Sequence, residues 1–465
     1  MQTFDVIILG AGSSGEIIAS TLAKSGKTVA LIEMSHIGGE CPYFACMPSK
    51  AMLHSSQVRQ SVKVIRESGG SSTPLILDGD EAAFAFAAVR RDQIALNHND
   101  EAAAQGFREE GVLIARGRGR IMRPGVVGVG DKEFGYTDLV ISTGSSSNSP
   151  EIDGIGNIQS WTSDEALSTL VRPNSVLIIG GGPVGCELAQ MFTRFGTRTS
   201  LVESTSQLAG KEHFEVAARL AEVLRSDGVL VKLNTSVVKL SAKPEAGVEA
   251  ELSDGSSIAV ERVIIAVGRH PNSADLGLEL LGIEIENTGA ISVDKQCRIL
   301  GHENIWAAGD VTGIAPFTHT ANYQARIVTD NILGIASEAS YLAIPRVIYS
   351  DPPVASVGQV MGNEEIPDLI TARYDLTESA RNIADSGAGG LLILTADRKR
   401  NVLVGAAAIG PKADEWLAEA TLAIRAEIPL EILGDIVHAF PTYGNSFETP
   451  IRELINKISG RSITS

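Results

Sequence analysis

Four cysteines in 465 residues, at positions 41, 46, 186 and 297, are too few for the disulfide framework of a secreted scaffold. No apolar run approaches the ~18 residues a membrane-spanning helix needs. Val6-Ile7-Ile8-Leu9 near the start is only strand length, without the basic region and apolar core of a secretory signal. Basic residues are outnumbered: 39 Lys and Arg stand against 56 Asp and Glu, a formal net charge of −17. Such an acidic surface repels a phosphate backbone, so nucleic acid is not expected as a partner. With 44% hydrophobic and 20% charged residues, the chain is globular rather than disordered. These features together predict a cytoplasmic protein with no membrane span. Glycine is plentiful, at 47 residues, which favours tight turns and close backbone approach to ligands. The length predicts about three domains.

The chain opens with the apolar run Phe4–Leu9, the turn Gly10-Ala11-Gly12-Ser13-Ser14-Gly15, a helical stretch over Glu16–Lys24, and a second apolar run, Thr28–Ile32, that ends in Glu33. Strand, glycine turn, helix, strand and acid make a βαβ unit. The pattern returns. Gly10, Gly12, Gly15 and Glu33 recur 170 residues later as Gly180, Gly182, Gly185 and Glu203, between the run Ser175–Ile179 and the run Thr199–Val202, with a helix predicted over Cys186–Phe195. In such a unit the glycine turn lets the backbone approach a pyrophosphate, the helix N-terminus faces it, and the acid receives ribose hydroxyls. Two units imply two dinucleotides. A carboxylate at Glu203 suits a 2′-hydroxyl and repels a 2′-phosphate, and Ser204, Thr205 and Ser206 follow it with no arginine, so NAD(H) is expected in preference to NADP(H).

Polar loops at 145–150 and 268–272 mark breaks. Residues 304–310 read as a strand entering a turn, with a helix near Ala321–Leu333. Beyond Pro345, strand-like runs (Arg346–Tyr349, Gly390–Leu394, Val402–Ile409) flank a helix near Ala413–Glu427. The fold class expected is α/β: two Rossmann-like dinucleotide-binding domains plus a C-terminal α+β domain.

Residues 38–50 read Gly-Gly-Glu-Cys-Pro-Tyr-Phe-Ala-Cys-Met-Pro-Ser-Lys. Two cysteines five apart are a coincidence, half of a metal site, or a redox pair. A zinc site needs more ligands than the neighbourhood offers, and no metal is expected. In an ideal helix residues five apart rise roughly 7.5 Å, beyond the roughly 7 Å Cα limit for a disulfide, so a bridge requires the segment to bend at Pro42 and the glycine pair. A cytosolic disulfide is usually catalytic or redox-sensing.

At this point the whole chain resembles the flavoprotein disulfide reductases: dihydrolipoamide dehydrogenase, glutathione reductase, mercuric reductase and relatives. Residues 38–50 match the redox-active box, the first glycine turn the FAD site and the second the nicotinamide site. Ser142-Thr143-Gly144-Ser145, Gly268-Arg269-His270-Pro271-Asn272 and Ala308-Gly309-Asp310 match further nucleotide contacts, and Pro345-Arg346-Val347 with Ala355-Ser356-Val357-Gly358 resembles the start of the dimerisation domain. The resemblance implies an FAD-binding domain over 1–147 and 269–344, an NAD(P)-binding domain over 148–268, a dimerisation domain over 345–465, and a homodimer. It implies that Cys41 is the interchange thiol and Cys46 the thiol facing the flavin. Lys50 would lie near the flavin and pair with Glu187, and Asp310 would hold the ribityl chain, with Thr318 and His319 close by. Thr143, Gly144, Gly268 and Arg269 fall among the cofactor contacts. Electrons would pass between NADH, FAD and a Cys41–Cys46 disulfide. Cys186 matches nothing catalytic and reads as a small buried filler.

The sequence departs from the family at one place. The family's dithiol reductases carry a His-Pro followed by a glutamate five residues after the histidine, a dyad that deprotonates the incoming thiol. Here Phe440 stands at the histidine position and Asn445 at the glutamate position. A thiol of pKa ≈ 8.5 is only a few per cent thiolate at neutral pH, so the loss slows thiol exchange. His438, Tyr443 and Glu448 are the candidate replacements. Residues 460–465 hold no cysteine pair and no N-terminal metal-binding domain is expected, which argues against a standard mercuric reductase. The leading expectation is an FAD-dependent disulfide oxidoreductase acting on a small-molecule disulfide or dithiol. The alternatives are an NADH-dependent quinone or metal-ion reductase or a transhydrogenase-like diaphorase, and a non-enzymatic redox sensor.

Overall fold

The computed structural model describes residues 1–243, 247–360 and 366–460. The tail 461–465, which bears on the missing cysteine pair, lies outside the described residues. The chain forms two compact units: residues 1–49, 90–148 and 268–340, and residues 50–89, 149–267 and 341–465.

In the first unit, strand Gln2–Leu9 lies between Val29–Glu33 and Lys132–Ile141, parallel to both, with Ile7 opposite Ala30 on one side and Leu139 on the other. Leu113–Arg116 extends the parallel sheet beyond Val29–Glu33, and Ile305–Ala307 adds to Lys132–Ile141. Val126–Val129 and Gly119–Arg123 complete seven strands in antiparallel sense. Val6–Leu9 and Val29–Glu33 are buried throughout, as expected of parallel strands covered on both faces. Helix Ser13–Lys24 buries Ile18, Ala19 and Leu22, positions that share one helical face.

The second unit repeats the device in an all-parallel sheet ordered Leu230–Lys232, Arg198–Val202, Ser175–Ile179, Arg262–Ile265, Ser160–Trp161. Helix Pro183–Arg194 follows the central strand, with Pro183 at the first helical position, where its missing N–H costs nothing. Phe192 and Phe195 meet Phe84 of helix Asp80–Ile94 at ring centroid separations of 6.2 and 5.4 Å. A three-stranded antiparallel sheet, Val237–Lys243, Gly247–Leu252 and Ser257–Val260, lies in the same unit.

The C-terminal part of this unit is a five-stranded antiparallel sheet ordered Pro345–Ile348, Val354–Gly358, Val402–Ile409, Leu391–Asp397, Leu369–Asp375. The helix expected near Ala413–Glu427 is realised as Ala413–Trp416 and Ala418–Arg425, bounded by left-handed residues at Lys412 and Glu427. The α+β character anticipated beyond Pro345 is present.

Candidate active site

The two glycine turns are built alike at an offset of 170. Gly10 and Gly180 have φ of +97° and +107°, and a Cβ at either would lie 2.3–2.4 Å from a carbonyl oxygen, that of Ser142 or Ala266. A Cβ on Gly15 or Gly185 would meet the carbonyl of Gly10 or Gly180 at 2.0 and 1.9 Å. Only glycine permits this contact of helix and strand. Around Gly12 and Gly182 nothing lies within 4 Å of where a Cβ would be. Each is the residue before its helix, with no side-chain cap. An uncapped helix N-terminus in open space is an anion cradle.

The acids match as well. Glu33 Oε2 accepts from the Ala11 backbone N–H at 2.7 Å and Oε1 from Ser35 N–H at 2.6 Å. Glu203 Oε2 accepts from Gly181 N–H at 2.7 Å and Oε1 from Thr205 N–H at 2.8 Å. Burial pushes the Glu203 carboxyl up, but the backbone N–H groups of Thr205 and Gly181 and the hydroxyls of Thr205 and Ser204 outweigh it and hold it below the usual glutamate range. Glu203 is thus held ionised, and both carboxylates are fixed across their glycine turns with lone pairs to spare. The donor set of both turns fits a dinucleotide.

The cysteine loop docks on the first turn. Gly38 N–H donates to the Ala11 carbonyl at 2.8 Å, and a Cβ on Gly39 would lie 2.9 Å from Gly12 Cα. The N–H groups of Tyr43, Phe44 and Ala45 all converge on the Glu40 carbonyl, at 3.2, 2.8 and 2.9 Å. The segment is therefore a tight coil, not a helix, until Cys46 opens helix Cys46–Lys63, which is the bend that a Cys41–Cys46 bridge requires. Thr318, the first residue of helix Thr318–Ile332, lies with its hydroxyl oxygen 3.5 Å from both Cys41 Sγ and Cys46 Sγ. The two sulfurs lie within twice that distance of each other. His319, expected beside Thr318, stacks its ring on Phe317 at 5.1 Å.

Strands Ser145–Ser147 and Arg269–Pro271 pair antiparallel in the first unit. Thr143 Oγ1 donates to the Asn272 carbonyl at 2.6 Å and the Gly144 carbonyl accepts from Asn272 N–H. Gly268 turns the chain at φ +103°. Ser145 Oγ donates to Asp310 Oδ2 at 2.6 Å. Arg269 reaches both Ser145 and Glu40, the residue before Cys41, with Nη2 2.6 Å from Glu40 Oε2.

In the second unit Lys50 Nζ lies 2.9 Å from Glu187 Oε2 and 4.4 Å from the centre of the Tyr349 ring. Glu187 Oε1 accepts from Tyr349 N–H at 2.9 Å. A buried carboxylate is thus met by a cation and a backbone donor. Cys186, fully buried, has its thiol pushed far up by burial first, then by Glu187 and Glu203; it is inert filler.

The C-terminal candidates come together, but on one another. His438, its side chain 9% exposed, sets Nδ1 3.3 Å from Glu448 Oε1 and Nε2 3.1 Å from both oxygens of Glu419. Asn445 Nδ2 donates to the same Glu448 oxygen at 2.7 Å. Burial pushes the Tyr443 phenol up to about 12, with help from Asp385, which its hydroxyl meets. Phe440, by contrast, is 75% exposed and Val437 93%.

Sequence reasoning takes in Glu40 and Ser145 only as members of their motifs, without their partners, and misses Tyr349 and Glu419. Their partners are 229, 165, 162 and 19 residues distant for Arg269, Asp310, Glu187 and His438. Only Glu40, adjoining Cys41, carries a local signal: a charge beside a thiol.

The pattern of the pyridine nucleotide-disulphide oxidoreductase family matches residues 4–325, and that of the family's dimerisation domain residues 344–451. Dihydrolipoyl dehydrogenase of Geobacillus stearothermophilus is 31% identical over 451 residues, spanning 95% of this chain and 94% of that protein. The Bacillus subtilis dihydrolipoyl dehydrogenase is 27% identical over the same shares. Among solved structures, the HOCl-induced flavoprotein disulfide reductase RclA from Escherichia coli superposes with a TM-score of 0.83 at 28% identity, covering 97% of this chain and 99% of that one. Its Cu(II) complex superposes with a TM-score of 0.83 at 27% identity, over 96% and 99%. Such agreement across nearly the full length places this chain in the pyridine nucleotide-disulphide oxidoreductase family, as an FAD-dependent flavoprotein oxidoreductase of the dihydrolipoamide dehydrogenase-like type.

Proposed function

We propose that this enzyme takes electrons from NADH in preference to NADPH, and passes them through FAD to Cys41 and Cys46. The reading rests above all on Thr318, whose hydroxyl meets both sulfurs at 3.5 Å in a loop hydrogen-bonded to the first glycine turn. When bound, FAD accepts a hydride from the nicotinamide and delivers two electrons to the disulfide. The uncapped helix starts after Gly12 and Gly182 hold the two pyrophosphates, while Glu33 and Glu203 receive ribose hydroxyls. Glu203, kept ionised, repels a 2′-phosphate, which supports NADH. Asp310, with Thr143, Gly144, Gly268 and Arg269 around it, lines the rest of the flavin side. On reduction the sulfur–sulfur bond opens, Cys46 is left as thiolate, and Cys41 takes the proton. Lys50, fixed by Glu187, supplies the cation that offsets this negative charge. Residues 1–147 with 269–344, 148–268 and 345–465 are the FAD, NAD(P) and dimerisation domains of a cytoplasmic homodimer.

The C-terminal geometry favours a second reading of the acceptor. His438 is held at both ring nitrogens by Glu419 and Glu448, so neither His438 nor Glu448 is placed to deprotonate a thiol, and the exposed Phe440 carries no proton. This supports an acceptor that takes electrons without thiol exchange, such as a quinone or a metal ion. Anaerobic titration with NADH tests the first reading: a long-wavelength thiolate-to-flavin band appears on two-electron reduction, and its absence refutes the sulfur pair. Steady-state turnover separates the acceptors. Quinone or metal-ion reduction that survives Cys41→Ser while lipoamide turnover is lost supports the second reading; lipoamide turnover at rates equal to or above quinone in the unaltered enzyme overturns it. NADPH turning over with equal kcat/KM refutes the nicotinamide preference.

A further inference from the structure

Glu40 precedes the interchange thiol directly in sequence. A carboxylate on the neighbouring residue opposes a thiol's ionisation, because like charges repel. The chain nonetheless keeps an acid here, and fixes a cation on it. Arg269 Nη2 lies 2.6 Å from Glu40 Oε2, and Nη2 and Nε of the same guanidinium donate to the Ser145 carbonyl at 2.6 Å and the Ser145 hydroxyl at 2.8 Å. Ser145 Oγ in turn donates to Asp310 Oδ2 at 2.6 Å. Arginine is always charged and its planar fork has one orientation once three bonds are made. It is therefore anchored from the flavin side and aimed at the residue before Cys41. Glu40 also holds the loop itself, because its carbonyl collects three successive N–H groups, those of Tyr43, Phe44 and Ala45. Any displacement of Glu40 moves Cys41.

We infer that Arg269 is a positioning residue for the interchange thiol. By pinning and neutralising Glu40, it fixes the Cys41 loop and sets the acidity of Cys41. The inference rests on the reading of Cys41 and Cys46 as the redox pair, and gives Arg269 a role toward the thiol beyond any contact with cofactor. Charge and geometry make separable claims. Removing the cation withdraws its positive charge from Glu40 and raises the thiol's ionisation pH; removing the carboxylate withdraws a negative charge and lowers it; removing both restores it.

The test is the pH dependence of Cys41 alkylation by iodoacetamide in the flavin-loaded enzyme reduced anaerobically with NADH, followed by mass spectrometry of the peptide containing residue 41. Arg269→Gln moves the midpoint up by about half to one pH unit, and Glu40→Gln moves it down by a similar amount. The double variant returns to within about 0.2 units of the parent, and Arg269→Lys, which keeps the charge, stays near it. Shifts of the same sign in both single variants, or none, overturn the inference. If Arg269→Gln does not retain flavin, Glu40→Gln decides alone: a downward shift supports the inference and an unchanged or upward midpoint overturns it. The thiolate-to-flavin band of the parent, recorded in the same samples, reports separately on the redox pair. Its absence overturns that reading, whereas its presence with unmoved midpoints overturns only the role of Arg269.

Discussion

Glu16 is the residue immediately after the first glycine turn, in the opening turn of helix Ser13–Lys24. Burial alone pushes its carboxyl up from 4.5 to about 7. In the folded chain it therefore holds its proton to about pH 7, in the unfolded chain only to about pH 4.5. Between those values the folded state binds more protons, so raising the pH through that window costs stability, and above it the cost is complete. A difference of about 2.5 units at 1.36 kcal/mol each gives about 3 kcal/mol, an upper bound that residual solvent screening brings to about 2–3 kcal/mol. Glu16→Gln keeps the shape and removes the charge. At pH 8 it is expected to stabilise the protein by that amount, raising the thermal midpoint by about 2–3 °C for a chain of this length; at pH 5 the gain shrinks below about 1 kcal/mol. The assay is the unfolding midpoint of parent and variant at both pH values, with flavin bound. An equal gain at pH 5 and pH 8 means that packing rather than ionisation acts, and refutes the reasoning, as does a variant less stable at pH 8.

Lys50→Met leaves the buried Glu187 without its cation and costs about 2–3 kcal/mol; adding Glu187→Gln recovers more than half of this, read as thermal midpoints of the single and double variants. Phe440→His with Asn445→Glu rebuilds the family's dyad and raises lipoamide turnover about 100-fold or more, measured as kcat/KM, with little change toward a quinone. The outcome would differ if Asn445→Glu, losing the amide that holds Glu448, released His438; a single Phe440→His variant checks this.

The βαβ units were legible because their requirements are local: a glycine at positive φ, a second glycine where a helix touches a strand, an acid at the end of the next strand. Strand Val402–Ile409 coincides with its apolar run for the same reason, a continuous pattern between turn residues. Helix starts were read late, at Glu16 and Cys186 rather than Ser13 and Pro183, because glycine and proline at a helix's first turn read as loop. The cysteine loop was legible as a motif, and its bend as a requirement, but not the means of bending. Three N–H groups converging on the Glu40 carbonyl leave no periodic trace. Least legible were pairings that join distant segments. Glu187 could be tied to Lys50 only through the family, and the ring of Tyr349 beneath the same ammonium not at all. His438 and Glu448 were both visible as titratable residues near the lost dyad; that Glu419 occupies the histidine's second nitrogen depends on how Ala418–Arg425 packs beside the C-terminal segment.

The duplicated acid carries a further lesson about why the fingerprint takes the form it does. A carboxylate at a strand end whose only task was to meet a ribose would be unsupported until ligand arrived. Glu33 and Glu203 instead accept two backbone N–H groups each, one from the glycine turn and one from two residues ahead. The glycine turn directs N–H groups outward toward a phosphate, and an N–H left inside that curve would be an unsatisfied donor. At Ala11 and Gly181 the acid satisfies it. In the proposed reading the same bond leaves the remaining lone pairs for a ribose hydroxyl. Replacing Glu203 by alanine therefore removes more than a ribose contact: it orphans Gly181 N–H and loosens the anion cradle. Glutamine keeps an acceptor for that N–H while losing the charge. Affinity for NADH should fall further in Glu203→Ala than in Glu203→Gln, whereas discrimination against NADPH should weaken in both, since it depends on charge alone. Equal NADH affinities in the two variants would mean that the turn does not depend on the acid.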